Sequence, residues 1–288
     1  MFRTLKIILL RLLFLVPDKP MIKVQYYLKT GRRLNLKKPS RYTEKIQLYK
    51  LFYRDPKIKF CSDKIKVREF VKNKGYEDIL IPILALQDSI FKIDFKNLPK
   101  SFVLKSNAAS GANIIVAKKT KNLIKIWIKF FILQFISYEK SGREWGYYGT
   151  QEKVYVEQML ERDLDGDIPD YKFFCFNGRV EVLYIMQDYI DNHNQGKCSF
   201  FDRDFNLINA TRSEYAPITK KVVAPKNFEY MIKIAEDLSK DFPHVRVDLY
   251  NISGKIFFGE MTFYPASGYS KFTPDEFDYD LGAKFNWE

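Results

Sequence analysis

The chain has 288 residues, 46% hydrophobic and 16% aromatic with 25 Phe and 19 Tyr, enough apolar surface to offset the ordering entropy of a large domain or a few packed lobes, which excludes a disordered chain. A formal net charge of +13 predicts attraction to polyanions such as nucleotide phosphates, anionic lipid or an acidic saccharide; with no zinc-knuckle spacing or RNA-recognition motif, nucleic acid is not the expected partner. Three cysteines without CxxC spacing and two histidines argue against a disulfide framework and a transition-metal site, suit a reducing cytoplasm, and leave a hard, oxygen-liganded cation as the metal to expect.

Residues 1–20 read as a basic, apolar helix. Arg11 breaks the apolar run short of the ~20 residues that a span requires, and no small-residue cleavage site precedes Pro17. The segment therefore reads as a helix packed on the core or lying on the membrane surface through Arg3, Lys6 and Arg11, the latter giving a cytoplasmic protein peripheral on the inner membrane face. A helical and α/β lobe is expected over 21–98. In it RYTEKIQLYKLFYRD forms a helix started at Ser40 or Thr43 with Ile46, Leu48, Leu51 and Phe52 inward; 63–74 forms a second helix ended by Gly75, and Ile79 to Leu84 a strand.

A smaller lobe follows over 99–156. Runs at 102–104 and 113–117 flank a loop of small residues and predict a hairpin, and 123–136 predicts a buried helix with Trp127, Phe130, Phe131 and Phe135. The larger lobe, 157–288, turns to strands: KVYVEQML, then a hairpin around Asn177 and Gly178. An amphipathic helix over 226–240 places Phe228, Met231, Ile232, Ala235 and Leu238 on one face. Two alternating strands joined by Asn251 to Gly254 come next, and an acidic, aromatic C-terminal stretch. The fold class is α+β with antiparallel sheets.

Two features carry chemistry. Asp248 and Glu260 are acidic residues in apolar strands of one hairpin; as cross-strand neighbours they are costly to bury unless a cation lies between them, and carboxylates plus phosphate oxygens are how magnesium is held. Lys105 ends a strand before the loop Ser106 to Gly111, whose small residues leave backbone N–H groups open to a phosphate and whose lysine supplies charge. The blander readings are solvent-facing edge carboxylates and an ordinary turn. His244 reads as a core or strand-edge residue, His193 as part of a solvated turn, and Cys175 as core. Phe272, Phe277 and Tyr279 read as packing, with part of an acceptor site as the alternative.

Taken in order, SDKIKVREFV, FVLKSNAASGANIIV, VYVEQML, DYKFFCFNG and FPHVRVDLYNISGKIFFGEMTFYPASG resemble the TupA-like ATP-grasp family over about Ser40 to Gly282. The resemblance implies an ATP-grasp fold, two α/β lobes clamping ATP, preceded here by the N-terminal helical segment. It implies that Lys64 and Lys105 contact ATP phosphates and that Ser106 to Gly111, with Ser110, form the mobile flap. It implies that Glu157, Gln158 and Leu160 in the hinge hold adenine, with Asp170 or Lys172 on the ribose side. Asp248 and Glu260 would be the magnesium carboxylates and Arg246 the basic group near the transferred phosphate. Two departures stand out: Thr262 occupies a place where many relatives have Asn, and the flap is poor in glycine. The family's association with teichuronopeptide and capsule biosynthesis implies an ATP- and magnesium-dependent carboxylate–amine ligase. It would join an amino acid or amine to an anionic sugar or lipid-linked saccharide. The competing readings are a glycosyltransferase, for which DRD at 202–204 would be the DxD-like motif, and a non-catalytic nucleotide-binding protein.

Overall fold

Two hairpins with two-residue turns set the frame. Asn177 and Gly178, and again Ser253 and Gly254, all have positive φ, the twist that lets a tight turn match right-handed strands. The structure, a computed structural model, describes residues 13–108, 113–116, 123–136, 142–163, 166–188 and 196–287. Ser110, Gly111, His193 and the first twelve residues of the N-terminal helix expected from the sequence lie outside them. No helix among the described residues is long and apolar enough to cross a membrane.

Helices α1 (Asp18–Thr30), α2 (Tyr42–Phe52), α3 (Pro56–Ser62) and α4 (Lys66–Asn73) lead into strand β1 (Ile83–Gln87). The helix expected over 1–20 is corrected where it is described: Leu13–Leu15 is a 3₁₀ turn and a new helix, α1, starts after Pro17, with Pro20 in its first turn, where a proline sacrifices no helical hydrogen bond. In α2 the expected inner face is corrected. Ile46 is buried, but Phe52 is exposed and Leu48 and Leu51 only half-buried; Tyr42, Tyr49, Gln47 and Lys50 fill the core instead. These polar groups are tolerated because they are bonded: the Lys50 ammonium donates to the Ser267 carbonyl at 2.6 Å and to Gln47 Oε1 at 3.0 Å. The strand expected over 79–84 begins later. Glu77–Ile79 is a 3₁₀ turn, and Pro82, unable to donate, precedes the ladder.

Strands β2 (Phe102–Ser106) and β3 (Asn113–Val116), helix α5 (Leu123–Ile136) and strand β4 (Val154–Gln158) complete the smaller lobe. Its antiparallel sheet runs β1-β4-β2-β3. The expected boundary at 156/157 thus falls inside β4, and β1, placed in the preceding lobe by the sequence, is an edge of this sheet. A small core of Phe102, Leu104, Ile114, Val116, Val154 and Val156 packs against Ile126 and Phe130 of α5. The buried helix expected here is only half-buried, with Phe131 outside.

The larger lobe comprises β5 (Asp170–Phe176), β6 (Arg179–Gln187), β7 (Lys197–Asp202), β8 (Leu207–Ile208), β9 (Thr211–Arg212), α6 (Phe228–Ser239), β10 (His244–Ile252), β11 (Lys255–Thr262), β12 (Phe272–Thr273) and α7 (Glu276–Lys284). Six strands form an antiparallel sheet in the order β11-β10-β5-β6-β7-β8. Helix α6 covers one face through Phe228, Met231, Ile232, Ala235 and Leu238, as its periodicity predicts. Helix α7 locks onto α2: Thr43 donates its N–H and hydroxyl to the fully buried Asp278 carboxylate at 3.0 and 2.7 Å. Phe272 and Phe277 are core, while Tyr279 is partly exposed beneath the Arg41 guanidinium.

His244 opens β10 inside this core. Its Nδ1–H donates to the Cys175 carbonyl and its Nε2 accepts from the Tyr42 hydroxyl, both at 2.9 Å, between the rings of Phe176 and Phe285. Burial pushes its pKa down to about 3, so it stays neutral while the unfolded chain protonates near 6.5; the stability this confers is present above pH 6.5 and is lost as pH falls towards 3. His244→Gln, which cannot titrate, is expected to be less stable at pH 7 yet to lose less between pH 6.5 and 4 than the wild type, measured by urea unfolding across that range.

Candidate functional site

Period-2 alternation sorts β10 into Val245, Val247 and Leu249, which face α6, and Arg246, Asp248 and Tyr250, which face the smaller lobe. The neighbouring strands align with them: Arg246 lies opposite Phe174, Asp248 opposite Lys172 and Tyr250 opposite Asp170 on β5. On the other side a straight ladder from the turn at Ser253 and Gly254 would set Asp248 against Gly259. A bulge shifts the register instead, so that Leu249 pairs with Phe258 and Asp248 with Glu260. The burial phase of β11 resets at that point, with Ile256 and Phe258 buried before it and Met261 after it. Glu260 and Thr262 thereby point to the cleft rather than into the core under α6.

The resulting floor is a lattice of alternating charge. Arg246 Nε and Nη2 donate to Asp248 Oδ1 and Oδ2 at 2.6 and 2.7 Å, a bidentate fork. Its Nη2 also reaches Thr262 Oγ1 at 3.0 Å and Glu260 Oε1 at 3.2 Å, and its Nη1 the Tyr184 hydroxyl at 3.2 Å. Lys172 Nζ stands 2.5 Å from both Asp170 Oδ2 and Asp248 Oδ2. Burial, opposed by Lys172 and reinforced by Asp248, raises the Asp170 pKa to about 6. Burial acts the same way on Glu260, but Lys64, then Arg246 and Lys172, outweigh it and hold this carboxyl at about 2.

The roof comes from the smaller lobe and the loop before α4. Lys105 at the end of β2 ion-pairs with Glu157 on β4, whose other oxygen is 3.8 Å from Arg68. Lys64 Nζ is 3.8 Å from Glu260 Oε2. Two residues hold these lysines in place. Asp63 accepts from the N–H groups of Ile65 and Lys66 at 2.9 and 3.2 Å, starting α4, and takes the buried Asn107 amide at 3.0 Å. The Asn107 side-chain oxygen in turn accepts from the Lys153 N–H at 2.7 Å, and its carbonyl from the Lys64 N–H at 3.2 Å.

Between roof and floor lies a cleft of about 340 Å³ lined by Lys64, Lys105, Asp170, Lys172, Arg246, Asp248 and Glu260 of the residues singled out in the sequence. Among the described residues five cations line it against three carboxylates, Arg212 being the fifth, so it favours an anion. Glu157 lies just behind Lys105. Gln158, at the end of β4, is exposed and Leu160, two residues beyond it, half-buried, outside the lining. Ser106 is buried, donating to Glu152 at 3.2 Å. Arg212, Tyr184, Asn107 and the bulge escaped the sequence reading. Arg212 stands on a two-residue strand paired with β12, a contact with no local signal; only Asn107, a short polar residue ending an apolar strand, carried a cue.

The donor set fits a hard cation. Asp248, Glu260 and Thr262 present oxygen atoms only, and Asp170 Oδ1 is buried without a hydrogen-bond partner. No group of three or more His, Cys, Asp or Glu residues placed to hold a metal occurs among the described residues, so a magnesium ion here would complete its shell with phosphate oxygens or water. The DRD motif does not join the cleft. Asp202 caps a turn, accepting from the N–H groups of Asp204 and Asn206 at 3.0 and 2.8 Å, and Arg203 pairs with Glu236. Cys175 is core, its thiol pushed up to about 12 by burial.

A Cβ on Gly259 would stand 3.0 Å from the Asp248 carbonyl oxygen and 3.4 Å from its Cβ. Gly259→Val is expected to press on the Asp248 strand, displace Glu260 and lower the melting temperature by a few degrees, read by thermal unfolding.

A family model described as TupA-like ATP-grasp matches residues 44–286. No curated protein matches the sequence. Among solved structures the chain is similar to a D-alanine–D-alanine ligase from Helicobacter pylori (13% identity, TM-score 0.48, 86% of this chain and 70% of that one). It is similar also to an L-amino acid ligase from Bacillus licheniformis (11%, 0.48, 89% and 57%) and a D-alanine–D-alanine ligase from Bacillus anthracis (14%, 0.44, 71% and 57%). The chain spans little more than half the length of the last two.

Proposed function

Since the chain belongs to the TupA-like ATP-grasp family, we propose that it is an ATP- and magnesium-dependent ligase that activates a carboxylate as an acylphosphate and passes the acyl group to an amino acid or amine. The observation that carries this reading is the cleft itself. Lys64, Lys105, Lys172, Arg246 and Arg212 surround the cross-strand pair Asp248 and Glu260, and no Ser, Cys or His among the described residues lines the space. Such a site suits charge neutralisation and positioning rather than nucleophilic catalysis by a serine, cysteine or histidine.

In this reading Lys64 and Lys105 hold the phosphates from above. Asp248, Glu260 and Thr262 would hold magnesium, which supplies neutralisation of phosphate charge. Glu157 to Leu160 form the adenine edge, with Asp170 and Lys172 towards the ribose. Arg246, fixed by Asp248, faces the transferred group. A carboxylate oxygen of the acceptor attacks the γ-phosphorus, the bond to the β-phosphate oxygen breaks, and ADP leaves. The amine nitrogen then attacks the acyl carbon, phosphate departs and the amine loses a proton. The acceptor wall is Arg212, Tyr184 and Tyr215: Arg212 donates to Tyr184 at 3.2 Å and to Glu214 at 3.0 Å, and its guanidinium suits a carboxylate. An anionic sugar, free or lipid-linked and destined for a surface polysaccharide, fits this wall and the +13 charge.

Calorimetry of ATP with and without magnesium tests the first half. Magnesium-dependent binding to the wild type, lost in Lys105→Ala and in Asp248→Asn with Glu260→Gln, is expected. Asp248→Asn also removes the charge partner of buried Arg246 and is expected to cost stability, so Lys105→Ala is the cleaner variant. Absence of wild-type binding would sink the ATP assignment and make nucleotide sugars the next ligands to try. For the second half, Arg212→Ala is expected to raise KM for a uronic-acid acceptor at least about tenfold with little change in ATP affinity, in an ADP-release assay.

A further inference from the structure

Helix α5 carries more apolar residues than the smaller lobe can bury. Ile126 and Phe130 enter its core, but Ile124, Ile128, Phe131 and Ile132, at spacings that share one face, are 48% to 65% exposed. Phe91 extends the strip: it is 69% exposed and meets the Trp127 ring edge-on at 5.3 Å between centroids. Lys125 and Lys129 follow Ile124 and Ile128 by one residue each and flank the strip, also exposed. From Phe95 to Tyr138 the sequence holds eight lysines and no Asp or Glu. A contiguous apolar strip of this kind on a soluble fold marks an interaction surface.

We propose that this face of α5 docks the protein on an anionic lipid surface, with the isoleucine and phenylalanine side chains at the headgroup–acyl boundary and the lysines against lipid phosphates. The charge pattern selects the occupant. A second copy stacked on the same face would bring Lys125 and Lys129 against their own counterparts, and the N-terminal segment, carrying Arg3, Lys6 and Arg11, would likewise add positive charge to positive charge. A bilayer of anionic lipid offers the opposite sign together with an apolar phase, which an in-plane amphipathic helix requires. The inference does not rest on the ligase reading.

The test is co-sedimentation of the full chain with phosphatidylcholine vesicles and with mixed phosphatidylcholine–phosphatidylglycerol vesicles. The wild type is expected to pellet with the mixed vesicles only, and less as salt rises. Ile128→Glu with Phe131→Glu is expected to weaken partitioning at least about tenfold, and Lys125→Gln with Lys129→Gln to weaken it less while flattening the salt dependence. Unchanged melting curves would show both variants folded, since the substituted side chains are exposed. Three results overturn the proposal: a wild type that stays in the supernatant, a glutamate variant that pellets as well as the wild type, or self-association in sedimentation velocity that the glutamate variant abolishes.

Discussion

Gly259 inserts one residue into β11 opposite Asp248, and the phase reset that follows puts Glu260 and Thr262 on the same face as Arg246 and Asp248. Without it the carboxylate of Glu260 would lie on the face that carries Ile256 and Phe258 into the core beneath α6, a placement that costs several kcal/mol for an unpaired charge. The bulge therefore decides both where the acid sits and whether the sheet can bury its other face. Glycine suits the position because β10 passes so close to it.

The Arg246–Asp248 fork shows the same economy. A buried guanidinium and a buried carboxylate are each expensive alone, and the sheet satisfies them against one another, with Lys172, Tyr184 and Thr262 taking the remaining atoms. Such a lattice is stiff, since moving any member strands another in low dielectric. The stiffness suits a floor that must hold oxygen atoms in place, whereas the roof, from Lys105 and Lys64, is attached through hydrogen bonds at the base of a hairpin.

Much of this was legible in the sequence because it is local. The turns at 177–178 and 253–254, the α6 stripe and the β2–β3 hairpin each follow from residues a few places apart, and the ordered motifs led to the family. The pairing of Asp248 with Glu260 was also expected, although the register argument alone would have missed it by one residue. What stayed hidden is what long-range contact decides. Helix α2 turned Gln47 and Lys50 inward because carbonyls of a distant loop receive them, and Tyr42 and Tyr49 because His244 on β10 does; α5 kept Ile124, Ile128, Phe131 and Ile132 outside because the four-stranded sheet is too small to cover them. Arg212 entered the cleft through two residues of pairing with β12. No periodicity encodes such events.

Asn107 ties the root of the β2–β3 hairpin to Asp63, and through it to the start of α4. Lys105 is two residues from this knot on one side and Lys64 is bonded to it on the other. If the hairpin tilts, the roots of both lysines travel together, and a ligand meets two ammonium groups whose anchor points it cannot draw apart. The knot thus acts as a gauge: it keeps two ammonium groups at stations that shift as a pair and never singly.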